Sequence, residues 1–260
     1  MGKDYIRFLG TGGARFVVSR QLRSSGGLWC SFNDTTICID PGPGTLARCF
    51  SGDVKANPED LDAVILSHRH LDHTTDANVM VEAMTRGALM KRGVLFAPQD
   101  ALEGEPVVFS YLRQAVGQVA VLREGGTYHI GDISFTCPVR HVHGVETYGL
   151  KFKTPGGSIA FIMDTLFFPQ LASHYQADLL VLNVVLYKHP GYQRIKHLDI
   201  EAAEKIIRSI QPRKAIITHF GTSMLDKDPV ELAKKLSKCT GVPVLAAYDD
   251  MHVDVDGLFS

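Results

Sequence analysis

The stretch Ser67-His68-Arg69-His70-Leu71-Asp72-His73 places three histidines and one carboxylate within the six residues from His68. It follows the apolar run Ala63-Val64-Ile65-Leu66 and precedes a stretch with helical apolar spacing. Neutral imidazole and carboxylate are favoured ligands of zinc and similar divalent metals. A chance cluster of surface histidines would not call for partners elsewhere in the chain, and such partners are present.

Upstream, Tyr5-Ile6-Arg7-Phe8-Leu9 reads as a strand that ends in the turn Gly10-Thr11-Gly12-Gly13. No Gly-Lys-Ser/Thr follows, so the turn is not a Walker loop. Trp29 to Phe32 and Thr35 to Asp40 alternate around Asn33-Asp34 as a hairpin. Asp40 ends a buried strand; it is a candidate ligand, but the role expected first is to accept hydrogen bonds that hold the histidine loop. Downstream, Thr74 to Gly87 has helical spacing with Val79, Met80, Ala83 and Met84 as the inward face. Val94 to Ala97 reads as a strand and Ala101 to Glu105 as a connection. Val107 to Gln118 has no clear period and fits a surface excursion near the site mouth.

Thr127 to Ile130 and Ile133 to Pro138 form a strand pair leading into Arg140-His141-Val142-His143-Gly144. Ser158 to Met163 and Lys214 to Thr218 are buried strands that end on Asp164 and His219. Leu198 to Ile210 is an amphipathic helix, and Asp228-Pro229 opens another over Val230 to Lys238. Val244 to Tyr248 and Met251 to Val255 are the last strands. One αβ/βα unit spanning residues 1–260 is the simplest organisation.

Bulk properties narrow the function class. The chain has 260 residues, 45% hydrophobic and 21% charged, which is ordinary for a soluble domain with a substantial core. Its formal net charge of −1 gives no global basic field for nucleic acid. Arg86, Lys91, Arg92, Arg194 and Lys196 remain candidates for a local basic patch. The five cysteines (30, 38, 49, 137, 239) form no Cys-x-x-Cys pair and have apolar neighbours, as buried thiols of a reducing compartment would. The N-terminus runs straight into a strand without an apolar export segment, and no run approaches the roughly 20 apolar residues of a membrane span. The expectation is a cytoplasmic protein with no membrane partner.

The donors at strand ends are His68, His70, Asp72, His73, His143, Asp164 and His219. Ligands gather at the carboxyl ends of strands in sheets wrapped by helices, so these positions can converge. Seven donors exceed what one tetrahedral zinc uses, while two metals sharing a bridging carboxylate use all of them.

His68-x-His70-x-Asp72-His73, followed in order by His143, Asp164 and His219, resembles the signature of the metallo-β-lactamase fold. Gly10-Thr11-Gly12 and Asp40 resemble its earlier features, so the likeness covers essentially the whole chain. It implies an α/β architecture, an αβ/βα four-layer sandwich of two mixed sheets flanked by helices. It implies that His68, His70 and His143 hold one metal, that Asp72, His73 and His219 hold the second, and that Asp164 bridges. His141 competes with His143; the stretch from His143 to Gly149 resembles the family's histidine, five residues, glycine arrangement and favours His143. Two divalent ions are implied, zinc by default, with manganese or iron compatible. A water bridging them would supply hydroxide near neutral pH, and the free oxygen of Asp72 can take a proton.

His197, just before Leu198-Asp199 and 22 residues before His219, resembles the phosphate-contacting or leaving-group-protonating histidine of ribonuclease Z and the cyclic phosphodiesterases of phosphonate breakdown. Two departures bear on substrate. Only 20 residues separate His143 from Asp164, which leaves no place for the tRNA-grasping arm of ribonuclease Z. Asn183 stands where ribonuclease Z has a glutamate. The cysteine-rich zinc site of the phosphonate-pathway enzyme is also missing from the sequence.

The resulting expectation is a dinuclear metal-dependent hydrolase of small or cyclic phosphodiesters, with Asp72 and His197 catalytic. The alternatives are a ribonuclease Z-like endoribonuclease acting on an RNA end, and an ester, thioester or lactone hydrolase. More distant are an iron-dependent oxidoreductase, against which His70 speaks in the diiron flavoprotein pattern, and a metal-dependent binding or assembly factor without turnover. A homodimer is compatible by analogy with relatives.

Overall fold

Short apolar runs bounded by glycine, proline and aspartate form two sheets. The computed structural model describes residues 4–51, 56–154, 156–192 and 194–255. Met1, Gly2 and Lys3, on which part of the reading of the N-terminus rests, lie outside them. The first sheet holds β1 (Tyr5–Phe8), β2 (Leu28–Phe32), β3 (Thr35–Ile39), β4 (Ala63–Ile65), β5 (Arg92–Pro98) and β6 (Val116–Leu122). The second holds β7 (Gly126–Ile130), β8 (Ile133–Cys137), β9 (Leu150–Thr154), β10 (Gly157–Ile162), β11 (Leu179–Leu186), β12 (Leu198–Asp199), β13 (Lys214–Thr218) and β14 (Val244–Ala246). A last strand, β15 (Met251–Asp254), returns to the first sheet beside β1.

Both sheets are mixed in the same way. In the first, β15, β1, β2 and β3 pair antiparallel, and β3, β4, β5 and β6 continue in parallel. In the second, β7 to β10 pair antiparallel, and β10, β11, β13 and β14 continue in parallel. The parallel strands are covered on both faces, which is why β4 (Ala-Val-Ile) and β11 (Leu-Leu-Val-Leu-Asn-Val-Val-Leu) are near-continuous apolar runs. A polar side chain at the end of such a strand has no outward face to occupy.

The layers follow from which faces are apolar. Between the sheets, Phe8, Phe32, Ile37, Ile65 and Phe96 of the first meet Phe135, Phe152, Phe161 and Val181 of the second. The outer face of the first sheet packs Val64, Leu66 and Leu95 against Met80, Val81 and Met84 of helix Ala77–Met84. The outer face of the second packs Leu180, Leu182 and Ile217 against helices Ile200–Ile210 and Pro229–Thr240. Helix Ile200–Ile210 buries Ala202, Ala203, Ile206, Ile207 and Ile210. Its three buried isoleucines contribute about 1.5–3 kcal/mol each. The Asp199 carboxylate caps it by accepting from the Ala202 N–H at 2.9 Å. The arrangement is the four-layer αβ/βα sandwich expected from the sequence.

Several local readings are corrected. Val107 to Gln118 is not an excursion; it divides between helix Ser110–Ala115 and the edge strand β6. Strand β9 and helix Ala14–Arg20 were not expected, and Ala101 falls in helix Gln99–Leu102 rather than a plain connection. Val79 is outward and 39% exposed, because the buried face of its helix runs through Ala77, Met80, Val81 and Met84. Four cysteines are buried, but Cys239 is exposed on the polar side of its helix. No helix among the described residues is long and apolar enough to cross a membrane.

Candidate metal centre

The parallel halves of both sheets deliver polar residues to one end of the sandwich. Strand β3 ends at Asp40, β4 leads through Leu66 to Ser67 and His68, β10 leads to Asp164, and β13 to His219. His70 and Asp72 enter from the turn and short helix Leu71–Thr74, and His143 from the loop between β8 and β9. Four groupings result: His68, His70 and His143; Asp40, His68 and His73; Asp72, His73 and His219; and His143, Asp164 and His197. All seven residues singled out from the sequence, and His197, therefore meet in one place.

Hydrogen bonds behind the cluster fix the imidazole tautomers. Ser67 donates its backbone N–H to Asp40 Oδ1 at 2.6 Å and its hydroxyl to Asp40 Oδ2 at 2.5 Å. The hydroxyl proton is thus spent, so His68 Nδ1–H is the donor in the 3.0 Å contact with Ser67 Oγ. Its Nε2 then carries a lone pair, fully buried and without a partner. His73 Nδ1–H donates to Asp40 Oδ2 at 2.7 Å, and His143 Nδ1–H to the Lys196 carbonyl at 2.9 Å. Both turn Nε2 inward. His73 Nε2 lies 3.1 Å from His219 Nε2, and His143 Nε2 lies 3.1 Å from His70 Nδ1. Burying an unpaired acceptor costs free energy, and nitrogens facing one another with lone pairs inward suit a cation. Asp40 is the anchor of this backing layer, because Ser67 and His73 already occupy its oxygens.

The carboxylates complete the enclosure. Asp72 Oδ2 lies 3.7 Å from His73 Nε2 and 3.5 Å from His219 Nε2, and it accepts the Ala14 N–H at 3.2 Å. Asp164 lies between the groups. Its Oδ2 is 3.6 Å from His73 Nε2, 3.9 Å from His143 Nε2 and 3.4 Å from His197 Nδ1. Its Oδ1 is 3.5 Å from His219 Nε2 and accepts from Asn183 Nδ2 at 2.9 Å. His141 is turned away: its Nδ1–H donates to the Asp164 carbonyl at 3.2 Å and its Nε2 accepts from the Tyr175 hydroxyl at 2.8 Å. His143, not His141, sits beside His68 and His70.

Electrostatics fit the same reading. Burial pushes His68, His70, His143 and His197 below the usual imidazole range, which keeps them in the neutral form that binds cations. Burial likewise brings His141 down to about 4. Burial opposes ionisation of Asp72 and Asp164. Even so, His73 and His219 around Asp72, and His219 and His197 around Asp164, hold both carboxyls well below the usual range. His73 goes the other way: burial opposes its charge, but Asp72 and Asp40 outweigh it and raise it. Two ionised carboxylates thus draw positive charge to the point where the imidazoles converge.

The cluster opens onto a cleft of about 540 Å³ lined by His70, Asp72, His143, Asp164 and His197, with Arg15, Arg194 and Lys196 around it. Of the basic candidates, Arg194 and Lys196 reach the site. Arg92 instead donates to the Glu59 and Met84 carbonyls, and Arg86 faces Glu59. Arg15, on the unexpected helix Ala14–Arg20, is the cation that sequence reasoning missed.

Gly13 shows how tightly the cluster is fitted. A Cβ there would lie 2.4 Å from His219 Cδ2 and 2.5 Å from its carbonyl oxygen. His219 itself holds a left-handed backbone (φ 62°). Gly13→Ala is therefore expected to displace His219 and to weaken metal retention by about 10- to 100-fold, the range seen when a ligand's support is lost. Metal affinity measured by competition with a chelating dye checks this; an unchanged affinity would show that His219 can shift freely.

A model of the family described as the beta-lactamase superfamily domain matches residues 35–220. An uncharacterised protein of Methanocaldococcus jannaschii is 33% identical over 260 residues, covering 96% of this chain and 94% of that one. A ribonuclease Z of Methanopyrus kandleri is 33% identical over 150 residues, 58% of this chain and 50% of that one. Among solved structures, a metallo-β-lactamase fold protein from Bacillus subtilis superposes with a TM-score of 0.79 at 18% identity, covering 97% of this chain and 99% of that one. At that identity the likeness speaks to the fold.

Proposed function

The chain belongs to the beta-lactamase superfamily, and we propose that it is a dinuclear metal-dependent hydrolase of small or cyclic phosphodiesters. In this reading His68, His70 and His143 would hold one cation, Asp72, His73 and His219 the other, and Asp164 would lie between them. Two divalent cations, zinc by default for so many imidazoles, would activate water and polarise a phosphoryl oxygen.

The observation that carries the phosphodiester reading is His197. Its imidazole lines the cleft, 3.4 Å from Asp164 Oδ2, with Arg15 and Arg194 on the same walls. The two guanidiniums suit a phosphate, since a planar fork matches phosphate oxygens bidentately. His197 would contact that phosphate or pass a proton to the leaving oxygen. Asp72 Oδ2 faces the histidines, so Oδ1 is the atom assigned to take up a proton.

The fold supports a small substrate over a tRNA. Between His143 and Asp164 the chain is taken up by the loop to Gly149 and by β9 and β10, with no inserted arm. The ribonuclease Z relative keeps RNA cleavage as the second reading.

The test combines metal quantification with hydrolysis of bis(p-nitrophenyl) phosphate, p-nitrophenyl acetate, a thioester and precursor tRNA. Two metals per chain and chelator-sensitive cleavage of the phosphodiester are expected, with the tRNA left intact. Turnover of the carboxylic ester or thioester alone would sink the phosphodiester assignment. A purified protein carrying iron and consuming oxygen would favour the oxidoreductase alternative.

A further inference from the structure

We infer that a cavity beside the metal cleft is a subsite for one arm of the substrate, and that this arm carries a flat ring with apolar faces and a polar edge, as a nucleoside does. The inference rests on the phosphate reading of the cleft and adds a substrate class to it.

The cavity measures about 530 Å³, close in size to the cleft and within the range of small-molecule sites. It is continuous with the cleft, because Ala14, Arg15, Arg194 and His197 line both. Past that junction its lining turns apolar: Phe16, Val17, Val185, Leu186 and Ile195. Val17 and Val185 are buried, so the base of the cavity is preformed by the packed fold. Phe16 is 62% exposed, and the Arg20 guanidinium lies over its ring, 5.4 Å from the centroid. A single exposed phenylalanine needs no explanation. One that lines a preformed apolar cavity opening from a candidate catalytic cleft has a use.

The polar groups define the ligand further. Arg15 and Arg194 stand at the junction, and neither has a carboxylate partner among the described residues. A phosphate held at the metal centre would place its negative charge between them. No acidic side chain lines the second cavity, so a cationic arm gains nothing there. Thr222 and Ser223 also line it. Ser223 Oγ accepts the Tyr187 N–H at 3.2 Å, which leaves its own proton to donate to a ring carbonyl or sugar oxygen. A smaller cavity of about 270 Å³ also touches His197; it is lined by Asp199, Glu201 and Lys205, and because Lys205 is paired with Glu201 it suits an anionic substrate less well.

The test is binding of two phosphate monoesters to the metal-loaded protein, measured by calorimetry. Methyl phosphate offers only the anion, and thymidine 5′-monophosphate adds the ring and the sugar. Wild type is expected to bind the nucleotide about 10- to 100-fold more tightly, the range that burying one ring's apolar surface supports. Phe16→Ala should cut that ratio at least about threefold. Thr222→Trp, which fills the cavity, should bring it close to one. Equal binding of the two ligands by wild type, or a ratio unmoved in both variants, overturns the subsite. Turnover of bis(p-nitrophenyl) phosphate is read separately, so failure of the phosphodiesterase reading and failure of the subsite are told apart.

Discussion

His70→Ala is expected to lose one cation and nearly all activity together. His70 Nδ1 lies 3.1 Å from His143 Nε2, and the two rings sit against His68, with centroids 4.8 Å and 5.1 Å from it. In the proposed assignment, removing one of three neutral imidazoles would leave the first cation two imidazoles and the Asp164 oxygen. Loss of a group that merely supports a ligand costs about 10- to 100-fold in affinity, so loss of a ligand itself should exceed about 100-fold in affinity for that cation and in turnover, with metal content falling from two per chain to one. Folding should survive. His70 is half-buried, its backbone (φ −65°, ψ 149°) is one alanine adopts freely, and its carbonyl still accepts the Thr74 hydroxyl. Elemental analysis, circular dichroism and bis(p-nitrophenyl) phosphate hydrolysis on one preparation check this. A variant with full metal content and full activity would remove His70 from the site. His129→Ala, on the exposed side of β7, serves as the control and should change neither quantity.

The sequence makes this part of the site legible for a physical reason. A parallel strand covered on both faces must be apolar, so Ala63 to Leu66, Ile159 to Met163 and Ala215 to Ile217 stand out, and the polar residue ending each run stands out with them. Asp40 could be assigned a backing role because it also ends such a strand. The contacts that orient the ligands are less visible. The acceptor for His143 Nδ1–H is the backbone carbonyl of Lys196, and backbone has no sequence signature. Gly13 reads as a turn glycine, but its necessity comes from the His219 ring, which only the folded chain brings there. Strand β6 escaped detection because it is an edge strand with Gly117 inside it and three exposed positions, so neither strand period nor apolar run survives. Strand β9 did leave a trace, since Leu150-Lys151-Phe152-Lys153 alternates with Leu150 and Phe152 buried. The inward face of helix Ala77–Met84 was misphased because Val79 is as apolar as Val81, and pattern alone does not rank them. Arg15 looks like any surface charge until helix Ala14–Arg20 sets it on the rim of the cleft.

His197→Ala is expected to keep both cations and lose about 10²- to 10⁴-fold in phosphodiester turnover, the range for a positioned proton donor or transition-state contact. The structure makes this a clean experiment. His197 Nδ1 is buried without a hydrogen-bond partner, so its removal strands no donor or acceptor elsewhere. Its nearest polar neighbour, Asp164 Oδ2 at 3.4 Å, is already enclosed by His73 and His143. The grouping of His197 with His143 and Asp164 leaves a rival role as a metal ligand, and metal content separates the two. Loss of a cation along with activity would make His197 a ligand and end its assignment to the phosphate. The leaving group then separates the two remaining roles. A proton donor matters little when p-nitrophenolate departs, because that anion needs no proton, and matters most when an alkoxide departs. A contact to a non-bridging phosphate oxygen costs about the same for both. A defect that grows from the p-nitrophenyl ester to an alkyl ester therefore assigns proton transfer to His197. A uniform defect assigns it to phosphate binding, beside Arg15 and Arg194.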